Sequence, residues 1–303
     1  MPSAATPPAG PAGPRITVGI VAKAHSTNAT DAVRDAVAWL DGAARVIVDD
    51  ETARRTGLAG AATCARDDLP ASVDLLLVLG GDGTLLSVAH PVARRAPGTP
   101  VLAVNCGSLG FLTEITRPEM RDALTAAVAG RAGIDERLMM RARVSRDGRQ
   151  IADRTVLNDV VIGRAARSSI IDVSIAVRDH LVTRCRADGV IVATPTGSTG
   201  YNLAAGGPIV HPTVEALTIT PIAPHTLTNR PVVIPAGAPV TLRVNLAGAH
   251  LEASASFDGQ FSIELEDGDA VLIEPAEHPL RVVRAESRHY FAVLREKLKW
   301  GER

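Results

Sequence analysis

The acid in "LLLVLGGDGTLL", residues 75–86, stands alone on a turn of three glycines. Gly80, Gly81 and Gly83 carry no Cβ, so the chain can turn sharply and a ligand can approach the backbone. Thr84 opens an apolar stretch that reads as a helix. A helix N-terminus behind a glycine loop is a ready site for phosphate. Asp82 is then an anion set where anions bind. As structure alone it is a helix cap, a position at which Asp is favoured. As chemistry it is a carboxylate that takes a proton or faces a metal ion. Spacing by itself leaves both readings open.

Two further stretches carry polar groups where apolar ones are expected. In "VLNDVVIG", residues 156–163, Asn158 and Asp159 interrupt a β run. Neighbours in a strand point to opposite faces, and a buried carboxylate without a partner is costly. Either both groups are wet at an edge or bulge, or an amide and a carboxylate read the hydroxyls of a ligand. In "RADGVIVATPTGSTGYNLAAGGPIVHP", residues 186–212, Thr194, Thr196, Ser198 and Thr199 crowd among Gly197, Gly200, Gly206 and Gly207. Pro195 and Pro208 stiffen this loop, and Tyr201 and Ile209 are expected to pack around it. Small hydroxyls and bare backbone suit a polyol or a phosphate, so a binding loop is favoured over a connector. No GxGxxG follows a strand and no GxxxxGK[ST] occurs. An ordinary dinucleotide-cofactor fold and a P-loop enzyme are thereby disfavoured.

The elements that hold these motifs change character near residue 139. Before it, strands "RITVGIVAKA" (15–24), "ARVIVDD" (44–50), 74–79 and "PVLAVN" (100–105) alternate with helical spacing, as in Val33, Ala36, Val37 and Leu40. This predicts a parallel-sheet α/β domain with ligand loops at the carboxyl ends of its strands. GGDGT and "NCGSLGF" (105–111) both sit at such ends and are expected to face one crevice. From 139 to 275, short strands of period two alternate with Gly and Asp turns, beginning with a hairpin at Asp147-Gly148. A β-sandwich is predicted. The division is then a tail at 1–14, the α/β domain at 15–138, the sandwich at 139–275 and a C-terminal segment at 276–303. Phe291, Leu294 and Leu298 give that segment an apolar face, which could pack back on the first domain.

Composition narrows the function classes. A chain of 303 residues suits two domains, and a net charge of −1 without any basic run argues against a broad nucleic-acid footprint. No apolar stretch has the length of a membrane span. The Pro/Ala/Gly-rich start lacks a basic end and an apolar core, so it reads as a flexible tail and not as a signal peptide. Cys64, Cys106 and Cys185 are widely spaced without a CxxC pair, which suits reduced thiols in the cytoplasm. His25 and His90 read as ordinary surface or packed histidines, and no structural metal is expected.

Taken in order, GGDGT on an α/β domain, "LNDVVI", "DGVIVATPTGSTGYNLAAGGPIVHP" and "TPIAPHTLTNRPVVIP" resemble the NAD kinase family over residues from about 15 to 295. GGDGT also recurs in lipid kinases, whereas the TPTGST block with its upstream Asn-acid pair is specific. The resemblance implies an enzyme that phosphorylates the 2′-hydroxyl of the adenosine ribose of NAD, with ATP or polyphosphate as donor. It makes Asp82 the base for that hydroxyl, with Gly83 beside it and Gly80, Gly81, Gly83 and Thr84 as the phosphate loop. NAD contacts fall to Phe111, Asn158 and Asp159, and to Arg186 and Asp188 before the TPTGST block. Thr196, Thr199, Gly200, Tyr201, Asn202, Leu203 and Ala204 form the adenine-side loop. Ala223 and Gln260 match positions that reach a neighbouring subunit's site. A divalent ion, Mg²⁺ carried with ATP and not held in a fixed protein site, and a cytoplasmic homodimer or homotetramer complete the expectation. Asp159 stands where the family more often has Glu, Gly200 and Ala204 where Ala and Ser are common, and Ser87 where a basic residue often follows GGDGT. Two rivals stay open at this point: a lipid kinase of the diacylglycerol or sphingosine type, and a noncatalytic NAD(P)-binding regulator.

Overall fold

The computed structural model describes residues 16–58, 60–165, 170–226, 228–246, 252–285 and 288–300. The tail expected at 1–14 lies outside them. The chain begins with β1 (Thr17–Ala22), α1 (Thr27–Leu40), β2 (Arg45–Asp49), α2 (Asp50–Thr56) and β3 (Ala62–Cys64). Then come β4 (Leu75–Gly80), α3 (Asp82–Arg95), β5 (Val101–Asn105), β6 (Ile115–Thr116), α4 (Met120–Val128) and β7 (Ile134–Arg137). Antiparallel strands follow: β8 (Met140–Arg146), β9 (Arg149–Val156), β10 (Asp159–Arg164), β11 (Ile171–Val177), β12 (His180–Ala187) and β13 (Gly189–Ala193). After the short helix α5 (Tyr201–Ala204) come β14 (Ala216–Ile222), β15 (Val232–Pro235), β16 (Val240–Asn245), β17 (Ala253–Phe257), β18 (Phe261–Leu265) and β19 (Ala270–Pro275). The chain closes with β20 (Leu280–Val283) and α6 (Tyr290–Leu298).

The first sheet runs β3-β2-β1-β4-β5-β20-β7, with β6 also paired to β5. Its strands from β3 to β5 are parallel, as the alternation with helices predicts. The central strand β4 is buried throughout. Leu75, Leu77 and Leu79 pack with the α1 residues Ala29, Val33 and Ala36, whereas Leu76 and Val78 pack with Leu85 and Val88 of α3. Alternate side chains of one strand thus supply two helix layers, which is why the sequence there is apolar without a break.

The second domain is a β-sandwich of two six-stranded sheets, β15-β14-β13-β10-β17-β18 and β12-β11-β16-β19-β8-β9. Val160, Ile162, Val190 and Val192 of one sheet face Val173, Ile175, Leu242 and Val244 of the other in one apolar core. The Asp147-Gly148 hairpin forms with φ of +49° and +75°, the left-handed pair that an Asp-Gly turn favours.

The C-terminal segment supplies one strand and one helix. β20 enters the first sheet between β5 and β7, four residues that are too short to show a period. The buried residues of α6 are Val293 and Leu294, and Phe291, on the face expected to be apolar, is 63% exposed. Among the described residues no helix is long and apolar enough to cross a membrane.

Candidate active site

β4 brings the chain to Gly80, and Asp82 is the first residue of α3, with Gly81 as its cap. No side chain caps this helix, so the capping reading of Asp82 is corrected. Its carboxylate turns instead to the loop after β5. Oδ2 accepts the Phe111 N–H at 2.9 Å. Oδ1 accepts the N–H groups of Leu112 and Thr113 at 3.1 and 3.0 Å and the Thr113 hydroxyl at 3.0 Å. An ionised carboxylate offers roughly two acceptor sites on each oxygen, so Oδ2 keeps one open.

The loop that grips Asp82 is itself braced. Asn105 donates through Nδ2 to the Thr113 hydroxyl and the Ser108 carbonyl, both at 2.9 Å, and accepts the Gly107 N–H at 2.7 Å. A Cβ on Gly110 would strike the Asp82 and Thr113 side chains, and one on Gly80 would strike Thr84. A Cβ on Gly81 or Gly83 would meet nothing within 4 Å. These two glycines border an open crevice of about 370 Å³ that also touches Lys23, Ser26, Asn105 and Lys297. GGDGT and NCGSLGF therefore share one crevice, as expected from their places at strand ends.

The second motif is tied to the same framework. Leu157 joins Leu85 and Val88 of α3 in one apolar cluster, so Asn158 and Asp159 follow directly from the packing that seats the GGDGT helix. Asp258, in the turn between β17 and β18, accepts the N–H groups of Leu157, Asn158 and Asp159 at 2.7, 2.7 and 3.0 Å. The TPTGST loop clasps the other side. Thr194 donates its hydroxyl to the Leu157 carbonyl at 2.5 Å and its N–H to the Asn158 carbonyl at 2.9 Å. A Cβ on Gly197 would run into the Asn158 backbone. One on Gly200 would stand 3.7 Å from the Asn158 amide nitrogen and 4.0 Å from Asp159 Oδ2.

Asp159 and Asp258 are both buried. Burial, and then the nearby Asp258 carboxylate, push Asp159 up to about 7. Burial pushes Asp258 up to about 6, against three N–H donors that favour its ionised form. Beside them, the Asn158 Oδ1 and Thr196 Oγ1 atoms are buried without a hydrogen-bond partner in the protein. Buried polar atoms are nearly always paired. Asn158 Oδ1 and Thr196 Oγ1 therefore stand out as unpaired beside a carboxyl pushed up to about 7.

Residues 18–132 match the model of the ATP-NAD kinase N-terminal domain, and residues 157–285 that of the ATP-NAD kinase C-terminal domain. The chain belongs to the NAD kinase family. It is 45% identical over 289 residues to the NAD kinase of Geotalea daltonii, covering 94% of this chain and 99% of that one. The NAD kinase of Geobacter sulfurreducens is likewise 45% identical, over 287 residues. Among solved structures, the yeast NADH kinase complexed with NADH aligns with a TM-score of 0.88 at 26% identity, covering 96% of this chain and 89% of that one. The Archaeoglobus fulgidus NAD kinase in complex with ATP gives 0.73 at 26% identity, covering 94% and 99%. NAD kinase membership over both domains makes the chain an enzyme, a phosphotransferase, and the lipid-kinase and noncatalytic readings find no support.

Not all the residues expected in this NAD kinase site meet in one place. Along β10, Asp159 pairs with Ala193 and Gly163 with Gly189, which in turn pairs with Ile222. Arg186, Asp188 and Ala223 adjoin the Gly189 end, four residues from Asp159 (159 to 163), or roughly 13 Å at strand rise. There Arg164 Nε donates to Asp188 Oδ1 at 2.7 Å, and the Arg186 carbonyl accepts the His225 N–H at 2.9 Å. Gln260 lies at the opposite end, where its side chain donates to the Asp258 carbonyl at 3.4 Å. Ala223 and Gln260 therefore occupy opposite ends of one sheet.

The adenine-side loop is also divided. Asn202 is buried and spends its amide internally: Nδ2 donates to the Ser198 and Pro208 carbonyls, and Oδ1 accepts the Thr218 and Thr220 hydroxyls. It shapes the loop. Tyr201 is 48% exposed, against the packing expected of it. Thr199 and Leu203 are half-buried and Ala204 is exposed. Sequence reading missed Asp258, because Asp-Gly between two strands signals an ordinary turn. It also missed Lys23 and Lys297, which carry no local pattern.

Proposed function

We propose that this chain transfers the terminal phosphoryl group of ATP to the 2′-hydroxyl of the adenosine ribose of NAD, giving NADP and ADP. The 2′-oxygen attacks the γ-phosphorus, the bond to the β-bridging oxygen breaks toward ADP, and the hydroxyl proton passes to Oδ2 of Asp82. The observation that carries this reading is the Asp82 carboxylate, held by four hydrogen bonds beside two open glycines with one acceptor site free. Phosphoryl transfer asks little covalent chemistry of the protein and much positioning and charge neutralisation. The open backbone at Gly81 and Gly83 suits the donor's phosphates. Asn158 and Thr196 offer unpaired atoms beside the Asp159 carboxyl, a set that suits the acceptor's ribose.

A divalent ion, Mg²⁺ in this reading, would come with the donor and would supply neutralising charge at its phosphates. Such an ion is usually bound through one or two carboxylates plus the phosphates. Asp82 is the carboxylate bordering the crevice and its free Oδ2 site is given to the hydroxyl proton, so the donor's phosphates would hold the ion. Among the described residues no group of three or more His, Cys, Asp or Glu is placed to hold a metal by itself. The three free thiols, Cys64, Cys106 and Cys185, support a cytoplasmic location.

The direct test combines purified protein and Mg²⁺ with ATP or polyphosphate, and with NAD, NADH or a lipid alcohol. NADP formation is expected. Phosphorylation of the lipid alcohol alone, or nucleotide binding with no turnover, overturns the reading.

We also infer a homodimer or homotetramer. Ala223 stands at the end of the sheet away from Asp159, which suits its reaching a neighbour's nucleotide. β15 is an edge strand whose Val232 and Val233 are 41% and 51% exposed. Exposed apolar edges invite pairing. Sedimentation at assay concentration is expected to find an oligomer, and a fully active monomer would sink this inference.

A further inference from the structure

Lysine is scarce in this chain: of 32 basic residues only Lys23, Lys297 and Lys299 are lysine. Two of those three border the GGDGT crevice. Among the described residues neither makes an ion pair, although arginines elsewhere in the chain pair freely with acids. Among the described residues the ion pairs of lysine or arginine with acids are all made by arginine. A lysine ammonium is a compact point charge on a flexible stem, suited to following phosphate oxygens.

Lys297 arrives from far along the chain. The α6 helix lies beyond residue 285, where the matched C-terminal domain model ends. Its first turn is seated on the segment after the TPTGST block, where the Tyr290 hydroxyl donates to the Val210 carbonyl at 3.4 Å and its ring meets His211 edge-on at 4.6 Å. Val293 and Leu294 are buried beneath it. Its last turn then carries Lys297 to the crevice, with Nζ 5.7 Å from the centre of the Phe111 ring. The N–H of Phe111 holds Asp82. One short helix thereby links the segment after the TPTGST block to the crevice in front of Asp82.

We propose that Lys297 is a donor-binding residue of this kinase, gripping with Lys23 the linked phosphates of the donor in front of the α3 N-terminus. The inference rests on the phosphotransfer reading above. A polyphosphate approaching this crevice meets the Asp82 carboxylate, a repulsion that the helix dipole offsets only in part. Two ammoniums bordering the crevice, neither in an ion pair among the described residues, supply the missing positive charge. The flexible stem lets Lys297 leave the Phe111 ring for the phosphates without moving the backbone that fixes Asp82.

The test is Lys297→Gln, which keeps a stem over Phe111 and removes the charge. Equilibrium titration with ATP and Mg²⁺, without NAD, is expected to show affinity weakened on the order of tenfold to a hundredfold, the worth of one charged hydrogen-bond partner. KM for ATP rises in step, while KM for NAD stays within about twofold. Added salt weakens ATP binding by the parent more than by the variant. Inorganic polyphosphate forms the second arm: the parent identifies which source of linked phosphates is used, and the substitution weakens that one. Lys23→Gln, at an exposed position with no packing to disturb, loses donor affinity too, and Lys297→Arg recovers part of it. Unchanged donor affinity in Lys297→Gln, or an equal rise in KM for NAD, overturns the proposal. Binding is read without turnover, so a parent that binds ATP but makes no NADP sinks the phosphotransfer reading and still leaves Lys297 tested.

Discussion

Asp82→Asn is expected to lower kcat by about 10²–10⁴ at saturating ATP and NAD, the usual worth of general-base catalysis. The amide keeps the size of the carboxylate and has no useful basicity. The structure adds a second consequence. Oδ1 accepts three hydrogen bonds and Oδ2 one. The Asn carbonyl oxygen best takes the threefold position, which leaves its NH₂ facing the Phe111 N–H. That donor-against-donor contact costs about 1–3 kcal/mol, so the melting temperature falls by a few degrees and the protein stays folded. Loss of rate through a displaced loop must be told apart from loss of a base. Thr113→Val does so, because it deletes the hydroxyl bond to Oδ1 and leaves the carboxylate intact. It is expected to cost less than about tenfold in kcat. If Asp82→Asn keeps more than about a tenth of the parental kcat, or if Thr113→Val loses as much as Asp82→Asn, Asp82 is a brace for the 111–113 loop and the proposed base is wrong.

The sequence was most legible where one segment's chemistry depends on its own neighbours. Leu75–Gly80 reads as a strand buried on both faces because every residue there is apolar, and the structure buries all of them. The glycines after it read as a site because three of them around one acid leave the backbone bare for a sharp turn and a close ligand. The Asp147-Gly148 hairpin is legible for the same local reason. Illegible were the links made across the chain. Nothing near Asp82 announces that residues 111–113 will turn three N–H groups toward it. Nothing in "FDGQ" distinguishes a turn aspartate from one that pins the backbone of Leu157, Asn158 and Asp159. β20 is four residues whose pairing with Val101 is decided by the sheet it joins, not by its own period. The opposite placement of Ala223 and Gln260 follows from strand register, which two motifs far apart in sequence do not reveal.

Asp159→Ala is expected to raise KM for NAD on the order of tenfold to a hundredfold while KM for ATP stays near that of the parent, since one charged hydrogen-bond partner of the acceptor is removed. The pH dependence sharpens this expectation. In the ligand-free protein the Asp159 carboxyl stands near 7, raised by burial and by Asp258. Ribose hydroxyls donate to its ionised form and favour that form, so NAD binding draws off a proton. NAD affinity is therefore expected to rise with pH toward about 7 and to level off above it. Asp159→Asn should flatten the rise. Stability follows the opposite slope. A carboxyl whose value is raised from 3.8 to about 7 on folding holds its proton in the folded state after the unfolded chain has released it. Across that window the folded state binds more protons, so stability declines as pH increases. Asp258, raised to about 6, adds to the same slope over the lower part of the window. Thermal melts of the ligand-free parent should show a falling melting temperature between these limits, with a shallower fall in Asp159→Asn. An unchanged KM for NAD in Asp159→Ala, with a raised KM for ATP, would assign the Asn158–Asp159 pocket to the donor and move the acceptor's ribose elsewhere.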